Sequence, residues 1–336
     1  PQLTCEETMR RALPFSFALI AACSSDPAVT PITDAGTDTG LAVDVPAVDA
    51  PAVDVPAADV PVTGDSGTPA RCGAERPDIT AVRGTEGLVI AADGTIYFSQ
   101  SRGVGRVRPG MAPESRWASL PMAASTVWGI ALDVANQRLL VGSPATSTIY
   151  AVDLTADAPM GTVYLSGAGS PNGLTMGPDG ALYYSSFATA GHVYRVVDGM
   201  RTQVTTATIR QPNGVAFHRD GSLYVDSYGA GTLIKLTLTG NMESARETVA
   251  MGLGNPDGLA FDAMDRIYIG DNSGGRLIRL DADGSNPEVL QRGISAAANI
   301  EFGVGALPCT DIYVASGGTL VRYEMGDTAG ASVPWH

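Results

Sequence analysis

A short pattern recurs along the chain at nearly constant spacing, and this repeat limits the folds that the sequence can adopt. Each copy contains an apolar run, a tight turn such as Asp220-Gly221 and a second apolar run. Six positions are equivalent, namely Gly87, Gly129, Gly173, Gly214, Gly258 and Asn299. Successive members of this set are separated by 42, 44, 41, 44 and 41 residues. The sixth copy is the most divergent.

Six units of about 40 residues, each built from short strands, are typical of a β-propeller. Asp-Gly between two apolar runs favours a β-hairpin, and most copies continue into a third apolar run such as STIYAVDL. Helical solenoids are excluded, because no segment after Cys72 keeps a 3.6-residue period. A β-sandwich with accidental similarity is the alternative, and six regular copies disfavour it. We therefore predict an all-β, six-bladed β-propeller over residues 72–336.

The first 22 residues are interpreted as upstream residues followed by a signal peptide. MRRALPFSFALIAAC begins at Met9, with two arginines, an apolar run and Ala-Ala before Cys23. The apolar run is too short to span a bilayer stably. Its end resembles a bacterial lipobox, which predicts lipidation of Cys23. An ordinary secretory signal with an incidental cysteine is the alternative.

Residues 23–71 are expected to form the lipidated cysteine and a disordered tether. Pro and Asp alternate with small residues, and residues 24–70 contain no Lys or Arg. Proline prevents regular hydrogen bonding and the aspartates repel one another. We expect an exported bacterial lipoprotein facing the periplasm or the cell exterior. It would contact the membrane through its lipid anchor alone.

The acidic composition restricts the partners of the chain. The formal net charge is −14 and Lys235 is the single lysine. Such a surface argues against binding to nucleic acid or anionic lipid. We expect a monomer with a small-molecule partner.

Two cysteines lie at the ends of the predicted propeller. The last copy supplies three strands, and RPDITAVRG, residues 76–84, is expected to add the outer strand of the sixth blade. Cys72 then lies close to the turn that contains Cys309, and an exported chain permits a disulfide. We predict a Cys72–Cys309 disulfide that closes the ring, with two buried free thiols as the alternative.

The residue before each equivalent position forms a second set. This set, called the axial ring below, consists of Glu86, Trp128, Asn172, Asn213, Asp257 and Ala298. The first strand of each propeller blade lines the central channel, so these side chains should lie at one depth around the axis. The axial ring therefore brings together two carboxylates and two carboxamides without a lysine or arginine.

Converging carboxylates repel each other unless a proton or a cation separates them. Carboxylate and amide oxygens suit a hard divalent cation, with Ca²⁺ as the first choice and Zn²⁺, Mn²⁺ or Mg²⁺ as alternatives. A zinc site rich in His is not indicated, because His192, His218 and His336 all lie off the ring. The competing interpretation is that Asn-Gly and Asp-Gly are turn dipeptides here. We predict Glu86, Asn172, Asn213 and Asp257 as metal ligands.

The copies resemble the gluconolactonase, regucalcin and senescence-marker-protein family of six-bladed propellers over about residues 75–326. In that family Glu, Asn, Asn and Asp bind one divalent metal from the first, third, fourth and fifth blades. The matching motifs are TEGLV, SPNGL, QPNGV and NPDGL, and NIEFG resembles the motif of the last blade. The second blade, with Trp128, contributes no ligand.

The resemblance implies hydrolysis of a lactone or related ester, with Asp257 as metal ligand and general base. Asn172 would also contact the substrate, and Trp128 is interpreted as a pocket wall or, alternatively, as a packed channel residue. Ser170 stands where family members carry an arginine that holds the sugar, and Leu88 replaces a proline. These two departures weaken the case for a sugar-lactone preference, even if the metal is kept.

Three other functions or roles are weighed against lactone hydrolysis. A non-enzymatic binding propeller similar to NHL-repeat proteins would keep the metal as a structural ion. A lyase acting on cyclic esters would share the metal site. A serine esterase is not supported, since the serines near the ring lack a partner histidine.

Asp226 and Asp271 end their strands near the same face, either as groups supporting the ligands or as surface turn residues.

Overall fold

A computed structural model describes residues 72–84, 86–326 and 328–330 of the chain. The predicted signal sequence, the Cys23 lipidation site and the tether over residues 23–71 lie outside the described residues. Within the described ranges, no helix is long and apolar enough to cross a membrane.

The described chain forms six antiparallel sheets, one for each sequence repeat, and these are the six blades of a β-propeller. Blade 1 contains β1 (Leu88–Ile90), β2 (Ile96–Gln100), β3 (Gly103–Val107) and β4 (Glu114–Ser119). Blade 2 contains β5 (Ile130–Asp133), β6 (Arg138–Ser143), β7 (Thr148–Asp153) and β8 (Thr162–Ser166), with a 3₁₀ turn at Pro144–Thr146. Blade 3 contains β9 (Pro171–Met176), β10 (Leu182–Ser186), β11 (Val193–Val197) and β12 (Met200–Gln203).

The remaining three blades follow the same order. Blade 4 contains β13 (Pro212–Phe217), β14 (Leu223–Ser227), β15 (Thr232–Thr239) and β16 (Met242–Met251). Blade 5 contains β17 (Pro256–Phe261), β18 (Ile267–Asp271), β19 (Arg276–Leu280) and β20 (Glu288–Arg292). Blade 6 contains β21 (Ala297–Phe302), β22 (Asp311–Ser316) and β23 (Thr319–Glu324). Each strand pairs with its neighbour in sequence, as expected for hairpins joined by tight turns.

The prediction that residues 76–84 form the outer strand of blade 6 is wrong, because that segment contains no strand. Pro77 lacks an N–H to give to a ladder, and Asp78 folds the chain into a local turn by accepting the N–H of Thr80 at 3.0 Å. The segment still packs on blade 6. Val82 is fully buried beside Tyr313 and Leu320.

The ring closes between blade 6 and blade 1. Strand β1 contacts β21, and the N–H of Asn299 donates to the carbonyl of Glu86 at 3.3 Å. The predicted disulfide between Cys72 and Cys309 is present, with the two Cα atoms 5.2 Å apart. The covalent link therefore fastens the start of the propeller to the β21–β22 turn.

The hydrophobic core is divided into six clusters, each lying between two adjacent blades. Tyr183 of blade 3 packs edge-on against Phe217 of blade 4, with ring centroids 4.8 Å apart. Tyr268 of blade 5 packs in the same way on Phe302 of blade 6 at 5.0 Å. Each large side chain buried in this way stabilises the fold by about 1.5–3 kcal/mol. The packing between blades thus holds the first strands at a common distance from the axis.

Candidate functional site

Axial-ring residues lie at β-bulges in four of the six blades. In blade 3, Pro171 pairs with Ser186 and Leu174 pairs with Tyr184, so Asn172 and Gly173 together oppose a single residue. The same irregularity occurs at the first strands of blades 4, 5 and 6. A bulge redirects a side chain and increases the local twist. The bulges therefore explain how side chains of a radial sheet come to face the channel.

Five of the six ring residues are followed by a glycine, which the approach of the next blade requires. A Cβ atom added to Gly173 would collide with the backbone carbonyl oxygen of Asn213, and one added to Gly129 would collide with that of Asn172. The repeated Asn-Gly pair thus has two functions. The first residue presents an oxygen to the axis, and the glycine lets the neighbouring blade come close.

Small polar side chains on the second strands support the ring from behind. The Ser185 hydroxyl accepts the N–H of Gly173 at 2.9 Å and donates to the carbonyl of Asn213 at 2.6 Å. The Ser99 hydroxyl accepts the backbone N–H of Glu86 at 2.9 Å. These serines join the ring backbone within a blade, and Ser185 also joins blade 3 to blade 4.

Asp226 occupies the position of Ser185 in blade 4, but its carboxyl has no hydrogen-bond partner. The side chain is fully buried, and both carboxyl oxygens lack a donor. Oδ2 lies 2.7 Å from where a Cβ of Gly214 would be. Burial raises the pKa of Asp226 well above its ordinary value. A carboxyl in such a place is stable in its neutral form.

Asp257 is the electrostatic centre of the ring. Its side chain is 6% exposed, and burial followed by the nearby carboxyls of Glu86 and Asp226 raises its pKa well above the ordinary value. Hydrogen bonds from Asn272 and Asn213 act in the opposite direction. The effect of Glu86 on Asp257 shows that carboxyls of the first and fifth blades lie close enough to repel each other.

The predicted ligands and Trp128 differ in how far they are buried. Asn172 and Asn213 are almost fully buried, whereas Glu86 and Trp128 remain partly exposed. Burial raises the pKa of Glu86 as well. Oδ1 of Asn213 is buried without a hydrogen-bond partner, which leaves an oxygen available for a ligand.

Asp226 and Asp271 are not surface turn residues, since both side chains are fully buried. Asp271 has a structural function. Its carboxylate accepts the N–H of Asn255 at 2.9 Å and the Nε–H of Arg276 at 2.6 Å. It thereby ties the loop that precedes Asp257 to the β18–β19 turn and positions the ring residue through the backbone.

A second circle of residues, missed in the sequence, directly follows the second strands at the same end of the propeller. This circle, called the lip below, consists of Ser101, Pro144, Phe187, Tyr228, Asn272 and Gly317. Asn272 of the lip donates through Nδ2 to Oδ2 of Asp257 at 2.6 Å. A signal was present in the sequence, because the second apolar runs of three copies, YYSSF, YVDSY and YIGDN, end on Phe187, Tyr228 and Asn272.

The donor set suits a hard cation. Among the residues that the structure describes, no three His, Cys, Asp or Glu side chains form a metal-binding group, so amide oxygens would have to complete the ligand set. His192 and His218 are engaged elsewhere, with Thr205 and Asp265. A carboxyl pair in which Glu86 raises the pKa of Asp257, together with the unpartnered amide oxygen of Asn213, is what a divalent cation would satisfy.

A cavity of about 130 Å³ lies in the channel beyond the axial ring, away from the lip. Apolar residues of the first strands line it, Phe217, Phe261 and Phe302 among them. Glu301 also lines it, enclosed by protein but in contact with the cavity, and burial raises its pKa to about 8. None of the four predicted ligands belongs to this cavity, so the candidate site faces the lip.

The sequence matches the family model described as the SMP-30/Gluconolactonase/LRE-like region over residues 84–318. No curated protein matches the sequence significantly.

Several solved structures share the fold. A gluconolactonase from Xanthomonas campestris is 20% identical with a TM-score of 0.60, and the match covers 78% of this chain and 97% of that one. The calcium-binding protein regucalcin from Agrobacterium tumefaciens is 19% identical with a TM-score of 0.62, covering 78% and 97%. Virginiamycin B lyase from Staphylococcus aureus is 13% identical with a TM-score of 0.54, covering 75% and 88%. At these identities the structures establish the shared propeller.

Proposed function

Because the chain belongs to the SMP-30/gluconolactonase/LRE-like family, we propose that it hydrolyses a lactone or related ester with a divalent cation in the central channel. The observation that carries this proposal is the convergence of Glu86 and Asp257, from opposite parts of the chain, on one partly exposed site. Among the structural neighbours, the gluconolactonase supports the proposed reaction and the calcium-binding regucalcin supports the proposed cation.

Glu86, Asn172, Asn213 and Asp257 would hold the cation. Two negative charges and two neutral amide oxygens balance a divalent ion, and all-oxygen coordination favours Ca²⁺. The unpartnered Oδ1 of Asn213 supports its assignment as a ligand. A bound cation would polarise the substrate carbonyl and stabilise the charge that develops on its oxygen.

Asp257 is the proposed general base. Its carboxylate would take a proton from water as the water oxygen bonds to the carbonyl carbon. The ring C–O bond would then break, and the departing oxygen would take the proton back from Asp257 to form the hydroxy acid. Asn272 holds one oxygen of Asp257, which fixes the direction of the other. Asn172 would orient the substrate carbonyl and Trp128 would form one wall of the pocket.

The test is a hydrolysis assay of the full chain on a panel of lactones and aryl esters. Each assay is run with EDTA and again after Ca²⁺, Mn²⁺ or Zn²⁺ is restored. Asp257→Ala is compared with Asp157→Ala, because Asp157 is exposed on an outer loop of blade 2. We expect activity that EDTA abolishes, that metal restores, and that only Asp257→Ala loses.

Other results would redirect the interpretation. If nothing on the panel turns over but Ca²⁺ raises the melting temperature, the cation is structural and the chain is a binding propeller. If an eliminated, unsaturated product appears in place of the hydroxy acid, the reaction is that of a lyase. Metal without effect on activity or stability would refute the metal site itself.

A further inference from the structure

The lip is attached to the axial ring by a repeated backbone contact. The N–H of Phe187 donates to the carbonyl of Ser170 at 2.8 Å, and that of Tyr228 donates to Gln211 at 3.0 Å. Each acceptor lies two residues before a ring residue. The lip residues therefore lie next to the axial ring. The hydrogen bond from Asn272 of the lip to Asp257 of the ring is one example of this contact.

Three aromatic rings form a continuous wall across blades 2, 3 and 4. The ring centroids of Trp128 and Phe187 are 5.8 Å apart, and those of Phe187 and Tyr228 are 5.6 Å apart, both edge-to-face. All three side chains are partly exposed. A row of partly exposed aromatic rings beside a polar ring is a surface to which an apolar group can bind with little reorganisation.

Hydrogen bonds attach Tyr228, at one end of this wall, to polar residues next to Asn272 of the lip. The Tyr228 hydroxyl lies 3.1 Å from the Ser273 hydroxyl, and Asn255 donates from Nδ2 to the Tyr228 carbonyl at 3.1 Å. Ser273 directly follows Asn272, the partner of Asp257. The aromatic wall therefore borders the proposed reaction centre on one side and ends at its hydrogen-bonding groups.

Cations are absent from both circles. None of the six axial-ring positions and none of the six lip positions carries a lysine or an arginine. Ser170 is half-buried and its carbonyl is occupied by Phe187. Arg210 and Gln211 lie beside the lip, where their side chains approach Gly229. Over the aromatic rings of blades 2 to 4, a polyhydroxylated lactone would nevertheless lack hydrogen-bond partners, and unpaired polar groups are costly to bury.

We propose that the substrate is a lactone or ester bearing an aromatic or comparably flat apolar group, which lies against Trp128, Phe187 and Tyr228. This inference rests on the proposed function and deepens it. The carbonyl of such a substrate would point to the axial ring while its apolar part covers the wall.

The test combines turnover with binding of a substrate mimic that cannot be hydrolysed. Dihydrocoumarin and glucono-δ-lactone are the substrates. 3,4-Dihydro-2-quinolinone, the lactam that corresponds to dihydrocoumarin, is titrated by calorimetry in the presence of Ca²⁺. The variants are Phe187→Ala and, as a matched control, Tyr164→Ala, a half-buried aromatic residue on the outer strand of blade 2.

We expect kcat/KM for dihydrocoumarin to exceed that for glucono-δ-lactone at least tenfold. Phe187→Ala should weaken lactam binding about fivefold to tenfold and act on turnover mainly through KM. Tyr164→Ala lies outside the wall and should retain lactam binding within twofold.

The outcomes separate this inference from the proposed function. Lactam binding that depends on Phe187, without hydrolysis of any substrate, would support the wall and refute the hydrolase. Metal-dependent hydrolysis that favours glucono-δ-lactone, or lactam affinity unchanged in Phe187→Ala, would overturn the wall and leave the hydrolase intact. Failure of the lactam to bind the unmodified protein would also overturn it.

Discussion

The side-chain amide of Asn272 donates a 2.6 Å hydrogen bond to Oδ2 of Asp257. The two residues belong to the same blade, with Asp257 in β17 and Asn272 directly after β18. An amide donor stabilises the charged form of a carboxyl, so this bond lowers the pKa that burial and Glu86 raise. Asn272 thereby favours the form of Asp257 that a base or a ligand requires.

Replacing Asn272 with alanine should therefore raise the pKa of Asp257. A hydrogen bond to a charged group contributes about 1.5–3 kcal/mol, which corresponds to about one to two pH units. The acidic limb of the kcat/KM profile should move to higher pH, and Ca²⁺ affinity at pH 7 should fall at least tenfold. Asn286→Ala is the control, since that amide bonds Asp281 at 2.8 Å on an exposed turn. A profile identical to that of the unmodified protein would exclude the assigned role of Asn272.

Cation binding should release protons from the ring. The pKa values of Asp257 and Glu86 are both raised, so the metal-free ring retains protons that a bound cation must displace. We expect Ca²⁺ affinity to increase with pH, by up to about tenfold per pH unit for each proton released. Calorimetry in two buffers of different ionisation enthalpy measures the number released, and Asp257→Asn should release fewer. Affinity that is constant between pH 5 and 8 would contradict the proposed ligands.

Glu301 should make the propeller less stable as the pH rises. Its ordinary pKa of 4.5 is raised to about 8 in the folded protein, so the folded chain holds this proton more tightly than the unfolded chain. The stabilisation is complete below about pH 4.5 and is lost as the pH rises through about 8. Glu301→Gln should match the unmodified protein at pH 5 and exceed its free energy of unfolding by about 2–4 kcal/mol at pH 9.

Denaturant titrations across this pH range measure the effect. Glu247→Gln is the control, because Glu247 is exposed on the outer strand of blade 4. Parallel pH curves for Glu301→Gln and the unmodified protein would show that Glu301 ionises normally.

The disulfide should contribute strongly to stability. Cys72 and Cys309 are separated by 237 positions, so the link removes much conformational freedom from the unfolded chain. The double variant Cys72→Ser, Cys309→Ser should lose about 3–5 kcal/mol of unfolding free energy, and reductant should have the same effect on the unmodified protein. Cys23→Ser should leave the free energy of unfolding unchanged. If the double variant and the unmodified protein had the same free energy of unfolding, the non-covalent contacts between blades 6 and 1 would be sufficient to keep the ring closed.

The blade count, the hairpins and the proximity of Glu86 to Asp257 could all be predicted from the sequence. An Asp-Gly turn between apolar runs specifies a hairpin locally, and regular recurrence of the unit implies closure into a ring. The glycine after Asn172 or Asn213 is explained by the same repeat, because a side chain there would collide with the backbone of the next blade. The disulfide follows from ring closure, since the two ends of one propeller are neighbours.

Tertiary packing decided the rest, because it depends on contacts between residues about 40 positions apart in neighbouring blades. Residues 76–84 cover blade 6 without forming a strand, since Pro77 and the turn at Asp78 prevent pairing. From the sequence alone, Asp226 could be a surface turn residue. In the folded chain its side chain is fully buried beside Gly214, where blade 5 approaches blade 4. The contact between Phe187 and Trp128 likewise depends on the angle between two blades, which no local pattern encodes. The sequence alone thus specified the repeat and its equivalent positions, and only the packed blades determined what surrounds them.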